Sequence, residues 1–269
     1  MITAGIDMGM ETVKVVILKD EKIVGRGKNL SGGAKRASAA ETALHDALRE
    51  AGLAKEDLSK IVATGKGKYD IPFADSCSTE PITAAKAAKF LCPEASMAVD
   101  VGADETVVAT LGEDKPVKEM AINEKCAAGI GSLLKTIARR LEMTLEEISD
   151  LPPKAKAGPA VNDGCIVFAE LDALSLLNRG VSPAEVASAV VDAAAIRACM
   201  TINDITNPAW DCVVLFGGLT NNAAFVNALQ FYAKLDFVIP AEAEYAGALG
   251  AALVAADWGS EIFYTKKEN

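Results

Sequence analysis

Apolar and polar positions change period twice along this chain, and the first pattern is then repeated. Residues 2–7 (ITAGID), 13–19 (VKVVILK) and 22–27 (KIVGRG) are short apolar or alternating runs separated by turns, which predicts three consecutive strands. From 34 to 52 the apolar residues move to helical spacing, with Ala40, Ala43, Leu44, Ala47 and Leu48 on one face. A strand at 60–64 (KIVAT) enters the loop GKGK, and 83–91 (TAAKAAKFL) reads as a helix. Three strands then follow again, at 97–102, 106–112 and 117–123. Asp7-Met8-Gly9 and Asp100-Val101-Gly102 stand 93 residues apart, each between the first two strands of its own meander. Two βββαβα lobes facing one another are the economical reading.

The second half is mainly helical to about residue 207, with helices predicted at 127–142, 144–150, 166–179 and 183–205. Thr144-Leu-Glu-Glu147 is a capping box, and Ser182-Pro183-Ala-Glu185 combines a cap, a proline at the first helical position and an acidic third residue. A buried strand at 212–216 (CVVLF), the turn 217–222 (GGLTNN), a further helix, a strand-like run at 235–240 and an apolar helix at 246–258 complete the chain. The last helix is expected to pack back on the first lobe, giving lobes of 1–95 plus 240–269 and of 96–239, the second with a helical insertion. The stretch 150–164 has no period and ends just before Cys165; such loops are often functional.

With 269 residues, 51% of them hydrophobic, a sizeable core is available. The 27 basic and 37 acidic residues leave a net charge of −10, which argues against nucleic acid or an anionic membrane surface as partner. The start MITAGID lacks the basic and apolar regions of a secretory leader, and the longest apolar run, 246–256, is about half what a bilayer requires. A cytoplasmic protein is expected. The single histidine, His45, excludes a multi-histidine metal site within one chain and is read as a partly exposed helix residue. Cysteines at 77, 92, 126, 165, 199 and 212 form no CxxC pair, which excludes a zinc ribbon or a bacterial ferredoxin run and suggests buried thiols or metal ligands rather than disulfides.

An aspartate at a strand end, followed by glycine in a hairpin, suits a phosphate site: the backbone comes close, N–H groups meet anionic oxygens, and the carboxylate holds Mg²⁺ through its waters. Two such hairpins would clamp phosphates from both sides, with Gly217-Gly218 leaving room for an adenosine. Cys126 and Cys165 each stand at a predicted helix start, where the positive helix end stabilises a thiolate. Two cysteines cannot hold a four-iron cluster alone, but two copies about a twofold axis can. Buried structural thiols are the alternative.

The arrangement resembles the actin, Hsp70 and sugar-kinase superfamily, an α/β ribonuclease H-like fold of two duplicated lobes that close on ATP. Asp7, Gly9 and Lys14 match its first phosphate motif, Asp100 and Gly102 its second, and Gly217, Gly218 and Asn221 its adenosine motif. More narrowly, KCAAGIG at 125–131 and CIVFAE at 165–170 resemble the cluster-ligand motifs of the activator ATPases of 2-hydroxyacyl-CoA dehydratases and of the ATPase subunits of benzoyl-CoA reductase. GIDMG at 5–9, ATGKGKYD at 63–70, Glu80 and YAGALGAAL at 245–253 extend the similarity along nearly the whole chain. The resemblance implies a [4Fe–4S] cluster shared between two subunits through Cys126 and Cys165, and ATP with Mg²⁺ in the cleft. Asp7 and Asp100 would be catalytic. It further implies low-potential electron transfer from a ferredoxin-type donor to a partner carrying further iron–sulfur clusters, in an anoxic cytoplasm. Cys77, Cys92, Cys199 and Cys212 match no ligand motif and are read as buried or incidental.

The chain departs from that family in its loops. Met10 and Glu11 replace hydroxyl residues, with Thr12 one step later, and Glu11 would repel phosphate unless it points away or meets a cation. Gly102-Ala103-Asp104-Glu105 lacks the usual glutamine, so Asp104 or Glu105 would orient the attacking water. Drifted loops favour one subunit of a benzoyl-CoA reductase, paired with a paralogous ATPase subunit, over a homodimeric dehydratase activator. A non-hydrolysing cluster-binding subunit and a small-molecule kinase are the readings of other classes.

Overall fold

The computed structural model describes residues 1–123, 129–153, 158–206 and 210–257. Strands β1 (Ile2–Met8), β2 (Thr12–Lys19) and β3 (Lys22–Leu30) form an antiparallel meander, as their β-branched, alternating character requires. Helix α1 (Arg36–Ala51) leads to β4 (Lys60–Thr64), parallel to β1, and the two-residue β5 (Ser76–Cys77) completes a sheet of order β3-β2-β1-β4-β5. Beyond α2 (Glu80–Leu91) come the meander β6 (Met97–Val101), β7 (Thr106–Leu111) and β8 (Val117–Ile122). Between it and β9 (Val213–Phe216) lie α3 (Ile130–Arg140), α4 (Leu145–Ser149), α5 (Ile166–Asn178) and α6 (Pro183–Asn203). Next are α7 (Ala223–Ala233), β10 (Phe237–Val238) and α8 (Ala246–Ala256). The second sheet runs β10-β9-β6-β7-β8, with β9 parallel to β6 and β10 parallel to β9. Numbered from its own first strand, it repeats the order and sense of the first, so the repeated sequence frames reflect a duplicated topology.

The layers follow from the apolar faces. The predicted stripe Ala40, Ala43, Leu44, Ala47 and Leu48 seats α1 on Ile6, Val13, Val15 and Ile17. Helices α2 and α8 fill the space between the sheets, where Val16, Leu18, Ala84, Ala98, Phe216 and Leu249 share one cluster. α8 touches β1, β2 and β4, as its apolar run predicted. The outer face of the second sheet is covered by α3, α6 and α7 through Ile137, Val190, Phe225 and Leu229. Both predicted capping boxes form: Thr144 Oγ1 accepts from the Glu147 N–H at 3.1 Å, and Ser182 Oγ from the Glu185 N–H at 3.3 Å.

Some elements differ from expectation. Helix α2 starts at Glu80 rather than 83, because Pro81 suits a first turn where its missing N–H costs nothing. The described part of α3 starts at Ile130 rather than 127, and only Phe237–Val238 of the run 235–240 pairs as strand. His45 is exposed on α1. Among the described residues no helix is long and apolar enough to cross a membrane.

Candidate functional site

The two hairpins face one another across a cleft. Asp7 on β1 is the register partner of Lys14 on β2, and the 8%-exposed lysine places Nζ 3.9 Å from Asp7 Oδ2. The Gly9 N–H donates to the Thr12 carbonyl at 3.1 Å, and in the second sheet the Gly102 N–H donates to that of Glu105 at 2.9 Å. The duplication extends to a feature that the sequence motifs do not pair. Gly65 follows β4 with φ 85°, Gly217 follows β9 with φ 96°, and a Cβ on either would come 2.6 Å from Oδ1 of Asp7 or Asp100 respectively. Each aspartate is thus roofed by a turn that only glycine can form without strain.

A cleft of about 100 Å³ is lined by Asp7, Gly9, Met10, Glu11, Thr12 and Lys14 from the first sheet. From the second come Asp100, Gly102, Ala103, Asp104, Glu105, Gly217 and Gly218. Gly65, Lys66, Glu80, Val107, Glu244 and Gly247, which the sequence-derived site residues do not include, share the lining. Asn221 does not: it is exposed at the end of the 3₁₀ turn Gly218–Asn221, while its neighbour Asn222 caps α7. A signal for Gly65 and Lys66 was present in the GKGK loop, which occupies after β4 the place that Gly217-Gly218 occupies after β9.

The cleft is acidic and partly dry. Burial, reinforced by the neighbouring Asp7 carboxylate, pushes Asp100 up to about 7. Burial also raises Asp7, against the pull of Lys14, and raises Glu105, against its bond to Lys66. Two ion pairs join the halves across the opening: Lys66 Nζ to Glu105 Oε2 at 2.6 Å, and Lys135 Nζ of α3 to Glu11 Oε2 at 3.1 Å. Glu11 therefore meets the cation that its place in a phosphate loop demands. Lys68 holds Glu80, the first residue of α2, at 3.1 Å. Converging carboxylates of this kind repel one another unless a cation lies between them, and the glycine turns present backbone to any anion above.

Cys165 caps α5, as predicted; its N–H donates to Asn162 Oδ1 at 2.7 Å, and the thiol is neither buried nor fully exposed. Behind it, α5 turns Val167, Phe168 and Leu171 outward at 59%, 58% and 55% exposure. Cys126 and the predicted helix start at 127 lie outside the described residues. The end of the same motif is described, and it rests on the second hairpin. A Cβ at Gly129 would fall 2.1 Å from the Asp104 carbonyl carbon, and the Ser132 N–H and Oγ both donate to the Ala103 carbonyl at 3.1 Å. Cys77 and Cys199 are buried, Cys199 with its thiol pushed up to about 11 by desolvation. Cys92 and Cys212, read as buried or incidental, bring their sulfurs to 3.5 Å although they stand 120 positions apart, a proximity no spacing rule reveals.

Residues 4–255 match the profile of the BadF/BadG/BcrA/BcrD ATPase family. The chain belongs to that family. Membership makes ATP its expected ligand and accounts for the duplicated two-lobe architecture, which is that of actin, Hsp70 and the sugar kinases. Across 95% of this chain and 97% of the relative it is 36% identical to the activator of lactoyl-CoA dehydratase from Anaerotignum propionicum. It is 31% identical to one of the subunits of benzoyl-CoA reductase from Thauera aromatica, across 96% and 93% of the two chains. The crystal structure of Acidaminococcus fermentans (R)-2-hydroxyglutaryl-CoA dehydratase component A superposes with a TM-score of 0.86, at 29% identity and 96% and 98% coverage. Dehydratase and reductase relatives thus both span this BadF/BadG/BcrA/BcrD ATPase, and they do not single out the reductase type that its loops suggest.

Proposed function

We propose that the protein is the ATP-driven electron-transfer component of a 2-hydroxyacyl-CoA dehydratase system. The observation that carries the reading is the seat of Gly129 and Ser132 on Ala103-Asp104, which joins a nucleotide-type hairpin to the segment bearing Cys126. In this reading Lys14 and the N–H groups of the Gly9 turn hold phosphate oxygens, and Asp7 and Asp100 hold Mg²⁺ through water. Glu105, released from Lys66, orients the attacking water, and Gly217 and Gly218 lie against adenosine. Cys126 and Cys165, with the same pair from a second copy, fit the four thiolates of a [4Fe–4S] cluster, which would carry one electron at low potential. The outward apolar residues of α5 beside Cys165 are the surface assigned to that second copy.

The lobes 1–95 plus 240–269 and 96–239 are the halves that nucleotide moves. Spreading the cleft displaces the hairpin at 102–105, and Gly129 leaves no slack between it and α3. ATP shifts this equilibrium only by its differential affinity for the two shapes.

The test is anoxic. Wild-type protein is expected to bind about four irons per pair of chains, to lose them in Cys126→Ser or Cys165→Ser, and to hydrolyse ATP in a manner abolished by Asp7→Asn. Full iron in both cysteine variants rejects the ligand assignment. ATP turnover surviving Asp7→Asn rejects the cleft assignment, and ATP binding without turnover would mark a non-hydrolysing subunit. The benzoyl-CoA reductase reading is favoured by one specific feature, the replacement of hydroxyl and glutamine side chains by Met10, Glu11 and Ala103. It requires that iron loading fail until a paralogous subunit is supplied.

A further inference from the structure

Far from the cleft, the chain crosses from α2 to β6 through the turn Cys92-Pro93-Glu94-Ala95. The Ala95 N–H donates to the Cys92 carbonyl at 2.8 Å, and proline occupies the second position. The turn is locked to the start of β9. The Ser96 N–H and Oγ both donate to the Cys212 carbonyl, at 2.9 and 3.0 Å, and the Cys212 N–H donates back to Ser96 Oγ at 3.2 Å. Three side chains converge on this rigid frame. Cys92 is 5% exposed, Cys212 is half-buried and Glu94 is exposed, and the two sulfurs and a Glu94 carboxylate oxygen all lie within 4.8 Å of one another.

We propose that Cys92, Glu94 and Cys212 form a binding site for a thiophilic divalent cation of the zinc type. At a Zn–S distance of about 2.3 Å, the edge of a tetrahedron between two sulfurs is about 3.8 Å. The observed 3.5 Å needs only a few tenths of an ångström of adjustment. Two thiolates and one carboxylate are a soft, anionic set with one hard ligand, which selects zinc over magnesium or calcium. The exposed side of Glu94 and Cys212 leaves the fourth position open to water. Helix α2 is 12 residues long, so its far end, which carries Cys92, lies roughly 17 Å from Glu80 in the cleft. The site shares no residue with the nucleotide cleft, and neither Cys126 nor Cys165 belongs to it. A bound ion would pin the α2–β6 crossover to the start of β9, the strand that Gly217 follows.

Cobalt(II) is the probe, titrated into reduced, chelator-treated full-length protein under anoxia. The expected result is one equivalent bound with thiolate-to-cobalt charge-transfer absorption, discharged by zinc and accompanied by a rise in Tm. Cys92→Ser and Cys212→Ser should abolish the band, and Cys165→Ser should keep it. Glu94→Gln, at an exposed position that leaves the fold intact, should weaken binding by about tenfold or more. A band that survives in the Cys92→Ser/Cys212→Ser double variant, a band lost in Cys165→Ser, or no band in the wild type each overturns the proposal.

Discussion

At a carboxylate whose pKa is pushed up to about 7, one pH unit around neutrality changes the charge of the whole cleft, and Asp100 is in that position. The sign follows from linkage. The folded chain holds the Asp100 proton more tightly than the unfolded chain, so this stabilisation is complete below about pH 4 and is lost as pH rises through about 7. Asp100→Asn is therefore expected to stabilise the ligand-free protein at pH 8 by on the order of 2 kcal/mol and to change little at pH 4, read from urea unfolding at both pH values. Mg-ATP affinity should run the other way, rising with pH up to about 7 in the parent and becoming weak and flat in the variant. Equal stability shifts at both pH values would show that the charge of Asp100 is not what matters. Asp7 and Asp100 were legible because each heads a DxG hairpin at a strand end. Their shifted protonation was not, since it arises from burial and from carboxylates brought together over 93 positions of sequence. Glu80 and Glu244 were missed as cleft residues for the same reason.

At the scale of the element, periodicity and caps carried most of the information. The Ser182 box starts the 21-residue α6, whose Val186, Val190 and Ala194 lie in the second core. Ser182→Ala should cost about 1 kcal/mol and lower Tm by about 2–4 °C, because the Glu185 N–H loses its partner. An unchanged Tm would mean that packing alone fixes that helix start. β5 was not legible, since a two-residue strand has no period, and the α2 start was misplaced because Glu80-Pro81 reads as a loop until proline is counted as a first-turn residue. The contact between α3 and the hairpin at 102–105 was also invisible, although Gly129 sits in a quoted motif; only the fold shows what its missing side chain avoids. Gly129→Ala is expected to push the hairpin away and weaken Mg-ATP binding several-fold, with far-ultraviolet circular dichroism unchanged. Wild-type affinity in that variant would remove the proposed coupling between hairpin and α3.

The whole molecule is two copies of one topology held apart by α2 and α8 and drawn together at the mouth by charge. A cleft of about 100 Å³ is too small for a nucleotide, since sites for ligands of that size run from about 300 Å³ upward. On the proposed reading nucleotide spreads the halves, and the ion pairs that cross the opening resist it. Of these, Glu11–Lys135 is the more informative, because Glu11 sits where a phosphate-binding hydroxyl would be expected and Lys135 belongs to α3 in the other half. Glu11→Gln removes a repulsive carboxylate and frees an ammonium group for the incoming phosphates, so Mg-ATP should bind several-fold more tightly. Lys135→Met should weaken binding. In the Lys135→Met background the gain from Glu11→Gln should shrink to the part due to repulsion alone, so the two effects are non-additive, as for any pair in direct contact. Both side chains are about one-third exposed, which limits the coupling to roughly 1 kcal/mol and makes it decline with added salt. Calorimetric titration of the four proteins at low and high salt measures this directly. Strict additivity at low salt would show that Glu11 and Lys135 act on the nucleotide independently and that the pair does not hold the mouth closed.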